Sequence, residues 1–395
     1  MKIAIINQRY GNEINGGSEL YTRITAERLC KYYDIEVLTT CALEYTTWED
    51  YYQSGNSIVN GVKVKRFKVS TTRDPDIFGE VHNRLLTTEF NNLETQQEWI
   101  DKQGPYCPEL INYIQDNADE YDVFIFITYL YYLTARGLQI VSKKAILVPT
   151  AHDEPYIYLH SYNDVFLSPK AIVYLTEEEK KIVENQFYNS NIKNEVIGTG
   201  IQVSSQVNAD AFKEKYELSS YIIYVGRIDE GKNCHVLFDY FIRYKQHYPS
   251  DLKLVLMGKS VMNIPDHKDI LNLGFVEEYV KDSGIAGAKV MIMPSQYESL
   301  SFSVLESLYL RTPVIVNELC DVLKGHCIRS NAGLYYRDYF DFSGCMSFLL
   351  NKEEIYKQMQ DNGEEYVLQN YQWKVVEQKW KKMIDYVAGD IEYYQ

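Results

Sequence analysis

The feature that most constrains this chain is a repeated alternation. Short apolar runs end on a polar residue or a glycine and give way to segments with helical spacing. "KIAIIN" (Lys2–Asn7) reads as a buried strand. A loop with glycines at Gly11, Gly16 and Gly17 follows, then "SELYTRITAERLCKYY", with Leu20, Ile24 and Leu29 roughly one helical turn apart, then the strand "DIEVLTT". This β-α-β start predicts a mostly parallel sheet. The alternation resumes with "YDVFIFIT", the helix "YLYYLTARGLQIVSK", "KAILVPT", "AIVYLT" and the helix "TEEEKKIVENQF". A second series opens near Tyr221: "YIIYVG", the helix "CHVLFDYFIRYKQHY", then "LKLVLMG", "KDILNLG" and "AKVMIMP". Ser18 is the expected cap of the first helix.

At 395 residues the chain is long for one core and suits two domains. The polar, weakly patterned "GTGIQVSSQVNADAF" marks the boundary. The expected domains are 1–203, with an insertion at about 41–110, and 204–370, followed by a terminal helix at 371–395. Within the insertion "GVKVKRFKV" alternates like a strand, while "TTWEDYYQSG" and "QQEWIDKQGPYCPEL" read as an irregular wall.

A formal net charge of −15 argues against a polyanion binder, so no nucleic acid partner is expected. Seven scattered cysteines without a CxxC pair fit reduced thiols. "MKIAIINQRYGNE" has too short an apolar run for a signal peptide, and no stretch approaches the roughly 20 residues that span a bilayer. The expectation is a cytoplasmic protein. "KWKK" near the end reads as a solvated helix face, with weak peripheral contact to an anionic membrane as the alternative.

The residues able to do chemistry cluster at strand ends, where α/β sheets hold ligands. In "VGRIDEGKN", Arg227 leaves a strand and Lys232 precedes a helix. An arginine fork and a mobile lysine together suit a diphosphate; two solvated loop charges are the bland alternative. In "PSQYESLSFSVLESLYLRTPVIV", Glu298 lies on a turn and Glu306 on the helix expected to begin near Phe302. The first amides of that helix, around Ser299, Leu300, Ser301 and Phe302, are available to an anion or hydroxyl. Glu306, one or two turns down that helix, can accept bonds from a vicinal diol such as ribose; one loop acid and one helix-surface acid is the bland alternative for the pair. Gly16 and Gly17 allow close backbone approach to a ligand, or simply a tight turn. His152, Asp153 and Glu154 form a polar cluster after a strand, and no metal-ligand spacing is present.

Together, "ESLSFSVLE", "VGRIDEGKN", "NGGSE" (Asn15–Glu19) and His152 resemble retaining glycosyltransferase family 4, the glycogen-synthase-like group. The resemblance covers nearly the whole chain. It implies the GT-B fold, two Rossmann-like domains facing each other across a cleft, and transfer of a sugar from a nucleotide-diphosphate donor to a hydroxyl of a glycan, glycolipid or glycoprotein. It places Arg227 and Lys232 on the diphosphate, Glu298 and His152 beside the transferred sugar, and Glu306 on the ribose. Gly16, Gly17 and residues 299–302 go to the donor, and Asn15, Glu19, Asp153 and Glu154 to the acceptor side. No obligatory cofactor or metal is implied. A nucleotide-sugar 2-epimerase and a non-catalytic sugar-nucleotide-binding protein are the rivals. The chain departs from the family at Ser301, where glycine is usual.

Overall fold

The computed structural model describes residues 1–14, 16–87 and 91–389. The chain divides into two compact units, Met1–Thr199 with Glu377–Gln395, and Gly200–Val376.

The first unit is built on β1 (Lys2–Ile6), β2 (Asp34–Thr40), β3 (Gly55–Val59), β4 (Val62–Phe67), β5 (Val123–Ile127), β6 (Ala145–Val148), β7 (Ala171–Tyr174) and β8 (Lys193–Val196). They form one sheet in the order β3-β4-β2-β1-β5-β6-β7-β8. Every pairing is parallel except the β3–β4 hairpin at one edge. β1, β5, β6 and β7 are apolar because helices cover both faces; Ile3, Ile5, Ile125, Leu147 and Ile172 are all fully buried.

The insertion is more regular than its sequence suggests. It supplies the β3–β4 hairpin and the helices Pro75–Leu86, Leu93–Gln103 and Pro108–Asp116. Asp74 caps the first, accepting from the amides of Asp76 and Ile77. Trp48 and Trp99, from the two stretches expected to be irregular, are each 1% exposed. Two smaller expectations need correction. The first helix begins at Gly17 with Gly16 as N-cap, and the Ser18 hydroxyl donates to Glu19 instead of capping. The helix expected over 129–143 is α-helical only at Tyr132–Gly137 and continues as a 3₁₀ turn to Lys144.

The second unit holds β9 (Tyr221–Val225), β10 (Lys253–Met257), β11 (Ile270–Asn272), β12 (Val290–Met293), β13 (Val314–Asn317) and β14 (Gly333–Tyr336). Its all-parallel sheet runs β11-β10-β9-β12-β13-β14. Counted within the unit, that order is 3-2-1-4-5-6, the dinucleotide-fold arrangement whose strand order reverses between its first and fourth members. The same reversal lies between β1 and β5 in the first unit. The terminal helix, Trp373–Ala388, crosses from the second unit into the first. There Lys379 Nζ donates to the Val196 carbonyl at 2.7 Å, and Tyr32 donates to Glu377 at 2.8 Å.

Candidate functional site

In the second unit, the loops leaving β9 and β12 flank the strand-order reversal. Gly258, after β10, could not be any other residue without rearrangement: a Cβ there would lie 1.9 Å from the Gly226 carbonyl oxygen. Tyr224 donates to the Arg227 carbonyl at 2.7 Å. Asp229, 8% exposed, organises the loop after β9: one carboxylate oxygen accepts from Arg227 Nε and the other from the Lys232 amide at 2.7 Å. Asn233, at φ 62°, then opens the helix Cys234–His247.

Across the reversal, Asn317 Nδ2 donates to the Pro294 carbonyl at 3.0 Å, tying the end of β12 to β13. The turn carries Glu298, and Glu298 Oε1 accepts from Lys232 Nζ at 2.7 Å. Two motifs 66 residues apart thus meet through one ion pair. The guanidinium of Arg227, about half exposed, stays in the same loop through Asp229.

The helix Phe302–Tyr309 begins where expected. Its N-cap, Ser301, sits at φ 66°, ψ 85°, a left-handed conformation that glycine adopts without steric cost. This accounts physically for the usual glycine at that place. The Ser301 hydroxyl caps nothing, is buried and has no hydrogen-bond partner among the described residues. Beneath the turn lies His326, fully buried. Its Nε2 is 2.9 Å from the Leu300 carbonyl and its Nδ1 2.9 Å from the Tyr366 hydroxyl. A carbonyl can only accept, so Nε2 carries the proton and Nδ1 accepts from tyrosine. Burial holds the imidazole pKa down to about 3, so the ring is neutral.

Glu306 is one turn into the helix, and Lys281 Nζ donates to its Oε1 at 2.7 Å. Lys281 also lies 3.4 Å from Asp282, which is fully buried. Burial raises the Glu306 pKa and Lys281 pulls it back. Burial would lower the Lys281 pKa, but Glu306 and Asp282 outweigh it and keep the ammonium charged. Asp229, His326 and Lys281 were not singled out in the sequence. Asp229 has a visible signal, an acid two residues past the loop arginine; the others are supplied by distant segments.

In the first unit the glycine loop is tied internally. Glu19, 5% exposed, accepts from Arg9 Nε at 2.9 Å, Gln8 Nε2 at 3.0 Å and Ser18 Oγ at 2.9 Å. A Cβ on Gly16 would fall 2.2 Å from this carboxylate, while one on Gly17 would meet nothing. Close packing on Glu19 therefore requires Gly16, and Gly17 presents the open backbone. Asn15 lies outside the described residues.

The polar cluster after β6 comes after two strained residues. Thr128 and Thr150, both β-branched, sit at φ 75° and 52° and are hydrogen-bonded to each other at 3.1 Å. His152 is half-buried, and its carbonyl accepts from the Glu154 amide at 2.9 Å. The Glu154 carboxylate accepts from Tyr129 at 2.8 Å, and burial raises its pKa against that bond. Asp153 accepts from exposed Tyr158 at 2.6 Å. Glu179 was also missed: it is fully buried and accepts from the amides of Ala151 at 2.7 Å and Leu175 at 2.6 Å. "TEEE" at 176–179 reads as a capping box, and Thr176 does accept from the Glu179 amide. The carboxylate's longer reach, to the loop beside His152, is not visible in that pattern.

Among the described residues no group of three His, Cys, Asp or Glu is arranged to hold a metal, and no helix is long and apolar enough to cross a membrane.

Solved structures share this architecture. A sucrose-phosphate synthase from Thermosynechococcus elongatus superposes with a TM-score of 0.72 at 15% identity, covering 99% of this chain and 100% of that one. Anabaena Alr3699/HepE, solved in complex with UDP and glucose, gives 0.70 at 13% identity, covering 98% and 100%. The chain has the GT-B fold. Residues 219–344 match the family described as "Glycosyl transferases group 1", and this segment contains Arg227, Lys232, Glu298 and Glu306. A processive diacylglycerol alpha-glucosyltransferase from Acholeplasma laidlawii is 25% identical over 240 residues, 53% of this chain. The match spans 65% of that relative's length. The chain thus has the GT-B fold, and its second unit carries a segment that matches a glycosyltransferase family.

Proposed function

We propose that the protein is a retaining glycosyltransferase that moves a sugar from a nucleotide-diphosphate donor to a hydroxyl of a glycan, glycolipid or glycoprotein. The Lys232–Glu298 ion pair is the observation that carries this reading. It joins the cationic loop after β9 to the turn after β12 at the strand-order reversal, where such sheets bind ligands. Lys232 has three N–H groups and Glu298 takes one, so two remain for diphosphate oxygens. As the anomeric C–O bond breaks, negative charge grows on the departing diphosphate. Lys232, Arg227 and the amides at the start of Phe302–Tyr309 stabilise it. Glu298 faces the transferred sugar, and Glu306, held by Lys281, accepts from the ribose hydroxyls. The acceptor oxygen attacks the same face and passes its proton to the leaving phosphate. His152 keeps the role that the resemblance implies, on the transferred sugar.

The test is a thermal-shift panel of UDP-, GDP-, ADP- and dTDP-sugars followed by turnover with the selected donor. UDP-glucose is the first choice because a fold neighbour binds UDP and glucose. K232A should lose one charge-assisted bond, roughly 1.5–3 kcal/mol, or about 10- to 150-fold in turnover. Near-normal transfer by folded K232A refutes the assignment. Proton NMR of the new glycosidic linkage reads retention, and interconversion of donor without any acceptor would instead indicate epimerisation.

A further inference from the structure

We propose that the first unit carries an oxyanion site centred on Arg73, which takes a phosphate ester or carboxylate borne by the acceptor. The link to the acceptor rests on the transferase reading; the oxyanion site itself does not.

Arg73 lies in the insertion, whose two tryptophan-bearing stretches surround it. Its guanidinium carbon is 5.2 Å from the Trp48 ring and 4.6 Å from the Phe78 ring. Nη2 donates to the carbonyl and to the side-chain oxygen of Gln103, while Nε is shielded from solvent and has no hydrogen-bond partner among the described residues. Among the described residues no carboxylate pairs with it. Neighbouring Asp74 is spent on its helix cap. Burial lowers the Arg73 pKa, and only the tyrosines Tyr131 and Tyr45 act against that shift. The guanidinium is partly buried against two ring faces and Gln103, with Nε shielded and no carboxylate to offset its charge, an arrangement suited to an anion.

Its position supports the same conclusion. Tyr131, in the loop leaving β5, experiences the charges of Glu19, Arg9, Arg73 and Glu154 together. Trp48, which touches both Tyr131 and Arg73, thus brings Arg73 towards the β1/β5 strand-order reversal, where such sheets hold ligands. The other charges there are committed: Arg9 to Glu19, and Glu154 to Tyr129. Arg73 remains as a cation there that pairs with no carboxylate among the described residues. Tyr131 packs edge-on against Trp48 at 5.4 Å, so one aromatic wall backs the site.

The experiment titrates inorganic phosphate, glucose 6-phosphate, glucuronate and glucose at constant ionic strength. The readouts are tryptophan fluorescence, to which Trp48 contributes, and thermal shift. The background is K232A, so that the donor loop does not compete. The expected result is saturable binding of at least one oxyanion, weakened about tenfold or more by R73Q, with glucose alone inert. Glucose 6-phosphate against glucuronate distinguishes phosphate from carboxylate. R73Q on its own should keep wild-type nucleotide affinity and be at least as thermostable as the wild type without ligand, since it removes an uncompensated charge. Oxyanion binding unchanged by R73Q, binding by none of the three anions, or ligand-free R73Q melting well below the wild type overturns the proposal. If the site holds while no donor turns over, the transferase reading fails and the oxyanion site stands.

Discussion

Replacing Lys281 with methionine removes a cation and keeps most of the volume. Its partners are poorly solvated: the side chain of Glu306 is 12% exposed and that of Asp282 fully buried. Breaking a buried pair on one side costs about 3–5 kcal/mol. The ceiling for each acid is the cost of taking a proton instead. For Glu306, with an ordinary pKa of 4.5, protonation at pH 7 costs 2.5 units, or about 3.4 kcal/mol. Linkage sets the sign. In K281M the folded pKa of Glu306 rises further above its unfolded value, so the folded state binds the extra proton. The variant should be close to wild type near pH 5 and lose roughly 1.4 kcal/mol per pH unit above it, until the raised pKa is passed. Urea denaturation from pH 5 to 8 reads this directly. E306Q in the K281M background should recover much of the loss. Calorimetry adds a functional readout: a ribonucleoside diphosphate should lose its advantage over the 2′-deoxy form, because a neutral Glu306 accepts hydroxyl bonds poorly. A pH-independent loss that E306Q does not relieve refutes the reasoning.

Further expectations concern the turn at 299–302. S301G should raise stability by about 1 kcal/mol, by relieving a left-handed serine and removing an orphaned hydroxyl, as measured by thermal or chemical denaturation; a loss would mean that the hydroxyl has a partner. His326 has a folded pKa of about 3, below its unfolded value. Its contribution is therefore complete above about pH 6.5 and lost on acidification, at roughly 1.4 kcal/mol per pH unit. H326Q, whose amide nitrogen can take the Nε2 place and donate to the Leu300 carbonyl, should flatten that part of the pH–stability curve. H152A is expected to lower turnover with nucleotide affinity unchanged, and equal weakening of both would make His152 structural.

How much the sequence disclosed depends on how each signal is encoded. Strands such as Tyr221–Val225 and Val290–Met293 are buried on both faces, so they read as unbroken apolar runs. The charges on the loops that leave them are local in sequence and were legible. The insertion was not, because its tryptophans are held by residues distant in sequence: Trp48 donates to the Gln103 carbonyl and packs on Tyr131, and Trp99 stacks on Tyr156. Nor were the supports of the turn. Lys281 is 25 residues from Glu306, and His326 is 26 from Leu300. A lysine or histidine in a helix announces its partner only when that partner is three or four positions away. Ser301 was visible as a departure from the family pattern; its left-handed backbone gives that departure a physical meaning.

The account depends most on the cationic loop after β9 and the turn after β12 gripping a diphosphate. The direct measurement is calorimetric titration of the nucleoside diphosphate chosen by the donor panel, beside the matching monophosphate, into wild type and K232A. The account predicts that the diphosphate binds wild type at least about tenfold more tightly than the monophosphate, with most of that gap gone in K232A. Equal affinity for the two nucleotides in wild type, or a gap that survives in folded K232A, would contradict it.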